Sequence, residues 1–103
     1  MDSPMTRSLA LMRELGYFCW RTEHWDGFAK KRKDLWGFCD IICVMGKDIV
    51  AVQTTSYNNI SARVKKITEH ENVAVVRKAG IRIFVHGWHK VGSHWKCRTV
   101  DLS

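Results

Sequence analysis

The 103-residue sequence predicts an α/β protein, a mixed central sheet flanked by helices. Two segments carry apolar residues at helical spacing, and five carry the alternating or continuous apolar runs of strands. One helical segment also separates the third strand from the fourth. Such a crossover permits a parallel pair, whereas a tight turn joins only antiparallel neighbours.

The elements follow in order. Thr6 or Ser8 can cap a first helix over residues 6–15, with Leu9, Met12 and Leu15 on one face and Gly16 as its stop. "YFCWRTE" reads as a first strand ending near Glu23. Residues 24–37 show no clean period and read as a loop carrying Gly27, Asp34 and the run "AKKRK", residues 29–33. "GFCDIICVMGKDIVAVQTTS", residues 37–56, supplies strands two and three, turning at Gly46-Lys47. Asn58 or Asn59 can cap a second helix of about ten residues through Ile60, Val64 and Ile67. "NVAVVRKAG" suits either a strand or a short helix. "IRIFVHGW" and "HWKCRTVDL" read as the last two strands, turning around Val91-Gly92-Ser93. Neither internal repeats nor low-complexity segments interrupt this series, and residues 1–103 read as one domain.

Composition narrows the partners. Hydrophobic residues make up 46% of the chain, enough for a core, although so small a domain gains from association, and a homodimer is expected. Seventeen Lys and Arg against ten Asp and Glu give a net charge of +7, which favours a polyanion, with nucleic acid the leading candidate. Lys30, Lys31, Arg32 and Lys33, with Lys65 and Lys66, are the expected DNA-binding residues. Nothing approaches the roughly 20 apolar residues of a membrane span, and the first residues lack the order of a signal peptide, so a cytoplasmic protein without a membrane partner is expected. Cys19, Cys39, Cys43 and Cys97 form no CxxC pair and read as reduced core residues. His86, His89 and His94 invite zinc, but no thiolate is spaced to join them, and they read as surface or partner-contacting histidines. Trp25 and Trp36 flank the basic run, where one could stack on an unpaired base.

The hairpin holds the most informative residues. A two-residue turn sets Met45 opposite Asp48, and counting outward places Asp40 opposite Gln53, with Thr55 on the same face. A carboxylate, an amide and a hydroxyl thus converge in an apolar hairpin. They can form a satisfied structural network, or they can ligate a hard cation such as Mg²⁺, which prefers oxygen and takes one or two carboxylates. Glu23, at the end of the first strand, is the natural second carboxylate.

Asp40 in "GFCDII" and "QTT", Gln53 to Thr55, resemble the two half-motifs of the PD-(D/E)XK nuclease superfamily, in particular its small Holliday-junction-resolvase-like members of phages and archaea. "ELGYFCWRTE" is similar to the family's opening helix, strand and carboxylate. The resemblance covers roughly residues 6–88. It implies an αβββαβ restriction-endonuclease-like core and a metal-dependent endonuclease that hydrolyses DNA phosphodiester bonds, selective for branched or junction structures. It carries over Asp40, Glu23 and Gln53 as ligands of Mg²⁺, for which Mn²⁺ can substitute. Two departures stand out, since Gln53 occupies the acidic position and Thr55 the lysine position. Asp34 could restore charge, and Lys33, Arg63, Lys65 or Lys66 could replace the lysine, with Arg63 nearest the helix start. Asp40, Gln53, Thr55, Glu23 and Arg63 are therefore the candidate catalytic residues. The alternatives are a silent nuclease fold kept as a DNA-binding module and an RNA-binding or structural basic protein.

Overall fold

The computed structural model describes residues 3–103. Its first helix, α1 (Pro4–Glu14), begins earlier than spacing predicts, because Ser3 is the cap and accepts the Thr6 amide proton at 3.2 Å. Pro4 then sits where its missing N–H costs nothing. Ser8, the other cap candidate, is fully buried inside the helix. Gly16, at φ +102°, ends the helix and turns the chain into β1 (Phe18–Arg21).

Residues 24–37, expected as a loop, contain a small antiparallel ribbon of β2 (His24–Asp26) and β3 (Lys31–Lys33). With three residues per strand, it is too short and too basic to show a period. The hairpin forms as its turn predicts: β4 (Ile41–Met45) and β5 (Asp48–Ser56) pair with Met45 opposite Asp48. Gly46 has φ +59°, a conformation that penalises any Cβ. A 3-10 turn over Tyr57–Asn59 leads into α2 (Ile60–Thr68). The ambiguous "NVAVVRKAG" is helical, α3 (Val73–Lys78), with Val73 and Val76 buried one turn apart. β6 (Arg82–Val91) and β7 (His94–Asp101) close the chain.

The main sheet has five strands in the order β1-β4-β5-β6-β7. Only β5 and β6 run parallel, joined across the sheet by α2 and α3, so the sheet is mixed as expected. α1 covers one face, where Met5 and Met12 pack on Cys19, Ile41, Cys43, Val50 and Val52. α2 and α3 cover the other, where Ile60, Ile67, Val73 and Val76 pack on Phe38, Ile83 and Val85. Gly87 lets α2 approach, since a Cβ there would overlap the Ile60 side chain. All four cysteines are free thiols; three are buried and Cys97 is half-buried.

His86 corrects the surface reading of the histidines. It is buried beneath α1, with Nδ1 2.9 Å from Ser8 Oγ, and the Trp88 indole donates to the same oxygen at 2.9 Å. Ser8 Oγ, with one hydrogen to give and two lone pairs to accept with, thus ties both rings to α1. Burial lowers the His86 pKa to about 4, so the ring is neutral. Among the described residues, no helix is long and apolar enough to cross a membrane.

Candidate active site at the end of the central hairpin

β4 begins at Ile41, while its partner β5 runs on to Ser56, and the site lies where the two part. Asp40 sits at this break. Its amide donates to the Val52 carbonyl at 2.9 Å, and its carbonyl accepts from the Thr22 amide at 2.8 Å and the Glu23 amide at 3.2 Å. The Asp40 backbone thus fastens the end of β1 to the hairpin and brings Glu23 alongside.

The Asp40 side chain is only 3% exposed. Its Oδ2 accepts from Gln53 Nε2 at 2.5 Å, from the Thr54 amide at 2.9 Å and from the Thr54 hydroxyl at 3.3 Å. Asp40 and Gln53 therefore meet as register counting predicts. Thr55 does not join them: it is buried further along β5, opposite Gly87, outside the cavity wall. Thr54 takes its place. Beyond the start of β4 the edge of β5 is open, so Asp40 can reach the Thr54 N–H, which no β4 carbonyl occupies. Strand alternation identifies a face; it does not identify an edge.

The Gln53 amide has a fixed orientation. An ionised Asp40 only accepts, so Nε2 must face it, and Oε1 points away. Gln53 is 3% exposed, and its Oε1 is buried without a hydrogen-bond donor among the described residues. An orphaned buried carbonyl oxygen costs about 1–3 kcal/mol. A hard cation would satisfy it.

These groups border a cavity of about 280 Å³. Its acidic residues are Glu23, Asp34 and Asp40, with Gln53 and Thr54 beside them. Asp34 arrives through a tight bend closed by the Leu35–Cys39 bridge, in which Trp36 and Gly37 adopt φ +60° and +88°. Gly37 is required there, because a Cβ would overlap the His70 ring. The basic residues are Arg32 and Lys33 from the ribbon, and Arg63 and Lys66 from α2. Most of them are engaged: Arg32 pairs with Glu23 at 3.1 Å, Lys33 with Asp26 at 2.9 Å and Lys66 with Asp34 at 3.9 Å. Arg63 has no ion-pair partner among the described residues, although it is half-buried. Lys30, Lys31 and Lys65 lie outside this wall. Lys65 instead borders a larger groove of about 600 Å³ between α2 and β7, in which no carboxylate participates.

Burial pushes the Asp40 carboxyl up to about 6, the charges of Glu23 and Asp34 add to this, and the Thr54 amide and Gln53 oppose it. A carboxyl so poised changes charge just below neutral pH. Among the described residues, no three His, Cys, Asp or Glu side chains are clustered as a ready metal cage. The Asp40 carboxylate and the Gln53 carbonyl oxygen, in a cavity whose wall also carries Glu23 and Asp34, are hard oxygen donors of the kind that suits Mg²⁺ better than zinc. No protein-family model matches the chain, and no match is found among curated proteins or solved structures.

Proposed function

We propose that the chain is a metal-dependent endonuclease acting on DNA phosphodiester bonds, selective for branched or junction structures. The observation that carries this reading is the orphaned Gln53 Oε1, buried beside a carboxylate raised to about 6 and bordered by a half-buried arginine without an ion-pair partner among the described residues. An unfilled buried acceptor and a cation without an ion-pair partner among the described residues thus border the same cavity, which supports a bound ligand there over a self-contained network. The order α1, β1, β4, β5, α2, β6, with β5 and β6 parallel, agrees with the αβββαβ core of the PD-(D/E)XK resemblance.

Asp40, Glu23 and Gln53 Oε1 would hold the cation, with Asp34 as a further oxygen donor. When bound, Mg²⁺ or Mn²⁺ neutralises the scissile phosphate and acidifies the attacking water. Arg63 offers its guanidinium to the same phosphate, supplying the charge that Thr55 cannot. Arg32 shields Glu23 until substrate phosphates compete for the guanidinium. Thr54 and Gln53 hold Asp40 in place by fixing Oδ2, which leaves Oδ1 for ligation. A second copy is the further partner. β1 is an edge strand whose Phe18 and Trp20 are stacked on each other and exposed, a surface that pairing of two edges would cover.

One observation favours the silent DNA-binding module: Glu23 is already neutralised by Arg32, and by Arg21 at 3.8 Å. Incubating the chain with linear, nicked and branched DNA in Mg²⁺ or Mn²⁺, beside Asp40→Asn, separates the two. Cleavage that the substitution abolishes supports the enzyme; tight binding without cleavage in either metal overturns it.

A further inference from the structure

The β2–β3 ribbon carries an apolar residue that nothing in the chain explains. Phe28, at its tip, is 100% exposed, and Trp25 on its flank is 60% exposed. Phe28 is held out by its own turn: Asp26 Oδ1 accepts the amide protons of Phe28 at 3.0 Å and Ala29 at 3.1 Å. Asp26 is in turn clamped by Lys33, and its pKa falls to about 2 through that contact and the turn amides, so the clamp stays charged at any working pH. Lys30 completes the turn at φ +54°. Phe28 and Trp25 together expose aromatic surface on a ribbon otherwise rich in charged residues, the combination that marks an interaction surface rather than a stray apolar side chain.

Charge identifies the partner. Lys30 and Lys31 follow Phe28 within three residues, and Arg32 and Lys33 continue from the ribbon into the cavity wall. The phenyl ring and one wall of the cavity thus belong to the same β2–β3 ribbon. We propose that the ribbon is a wedge that stacks Phe28 on an unpaired or unstacked base of the DNA whose backbone lies across the cavity. This rests on the cavity being a phosphodiester site. An aromatic ring stacks on any base, so the wedge would select a branch or fray rather than a sequence. Trp36, by contrast, is half-buried against Phe38 and is not available for stacking. The ribbon's two strand steps and its turn separate tip from cavity by about 10 Å, which is about three base-pair steps along a duplex. Any cut should therefore fall within about three nucleotides of the distorted step.

The test uses a branched duplex with 2-aminopurine at the branch, a matched linear duplex, and vesicles of phosphatidylserine and phosphatidylcholine. All arms run in EDTA, so that stacking is read independently of cleavage. Phe28→Ala should weaken binding to branched DNA by about 5- to 150-fold, the value of one base–aromatic stack, with less than about a twofold change on the linear duplex. The parent should change 2-aminopurine fluorescence, Phe28→Ala should not, and Phe28→Trp should restore the change. Equal affinity of parent and Phe28→Ala for branched DNA overturns the proposal. So does Phe28-dependent binding to vesicles with DNA binding unaffected. Phe28-dependent stacking in a chain that cuts no DNA in Mg²⁺ supports the wedge and overturns the nuclease reading alone.

Discussion

Replacing Asp40 by asparagine separates a functional carboxylate from a structural one. The carboxamide is isosteric, and its oxygen can still accept from Gln53 and Thr54 while its NH₂ turns toward the cavity. The substitution therefore removes charge while keeping shape. Asp40 titrates at about 6 in the folded chain against 3.8 for an ordinary aspartate, so the folded state holds an extra proton between these values. The stability it contributes is fully present below about pH 4 and is lost as pH rises through about 6. At 1.36 kcal/mol per pH unit, about two units amount to about 3 kcal/mol of destabilisation at pH 8. The asparagine side chain resembles the protonated form at every pH, so Asp40→Asn should stabilise the fold at pH 8 by up to about 3 kcal/mol and have little effect at pH 4. With a urea slope of about 1.5 kcal/mol/M, the midpoint at pH 8 moves up by as much as about 2 M. Tryptophan fluorescence during urea unfolding at pH 4, 6 and 8 measures it. A variant less stable than the parent at pH 8 would refute the reasoning, because the carboxylate would then be a net structural asset.

Gln53→Glu places a second carboxylate against Asp40, which should lower the melting temperature in EDTA and make the gain on adding Mg²⁺ larger than the parent's; differential scanning fluorimetry reads both. Removing Arg63 or Lys66 as Ala should each reduce the slope of log K against log salt by about 0.9 if both meet duplex phosphates, as fluorescence anisotropy between about 50 and 300 mM salt would reveal. Ser8→Ala strands the buried His86 nitrogen and the part-buried Trp88 nitrogen and should cost about 1–3 kcal/mol in urea unfolding without changing DNA affinity.

The chain's own periodicity determined the elements that are long enough to have one. α1, α2 and the two hairpins of the main sheet follow from apolar spacing and turn glycines, and the two-residue turn at Gly46-Lys47 was enough to pair Asp40 with Gln53. Their register is local, settled by a few residues on either side. Tertiary structure alone decided the rest of the site. Asp34 lies six residues from Asp40 and joins it only because of a bend closed by Leu35 and Cys39. Thr54 replaces Thr55 because β4 begins only at Ile41, leaving exposed beside Asp40 an edge of β5 that alternation does not encode. Arg63 faces the cavity and Lys65 the larger groove, since residues two apart on a helix point to different sides and Ile60 and Ile67 seat α2 in the core. The β2–β3 ribbon, with its exposed Phe28, has no period to read, since its shape comes from one aspartate's hydrogen bonds to its own turn. Local patterns report what each segment must bury; which side chains meet across segments depends on where the strands stop.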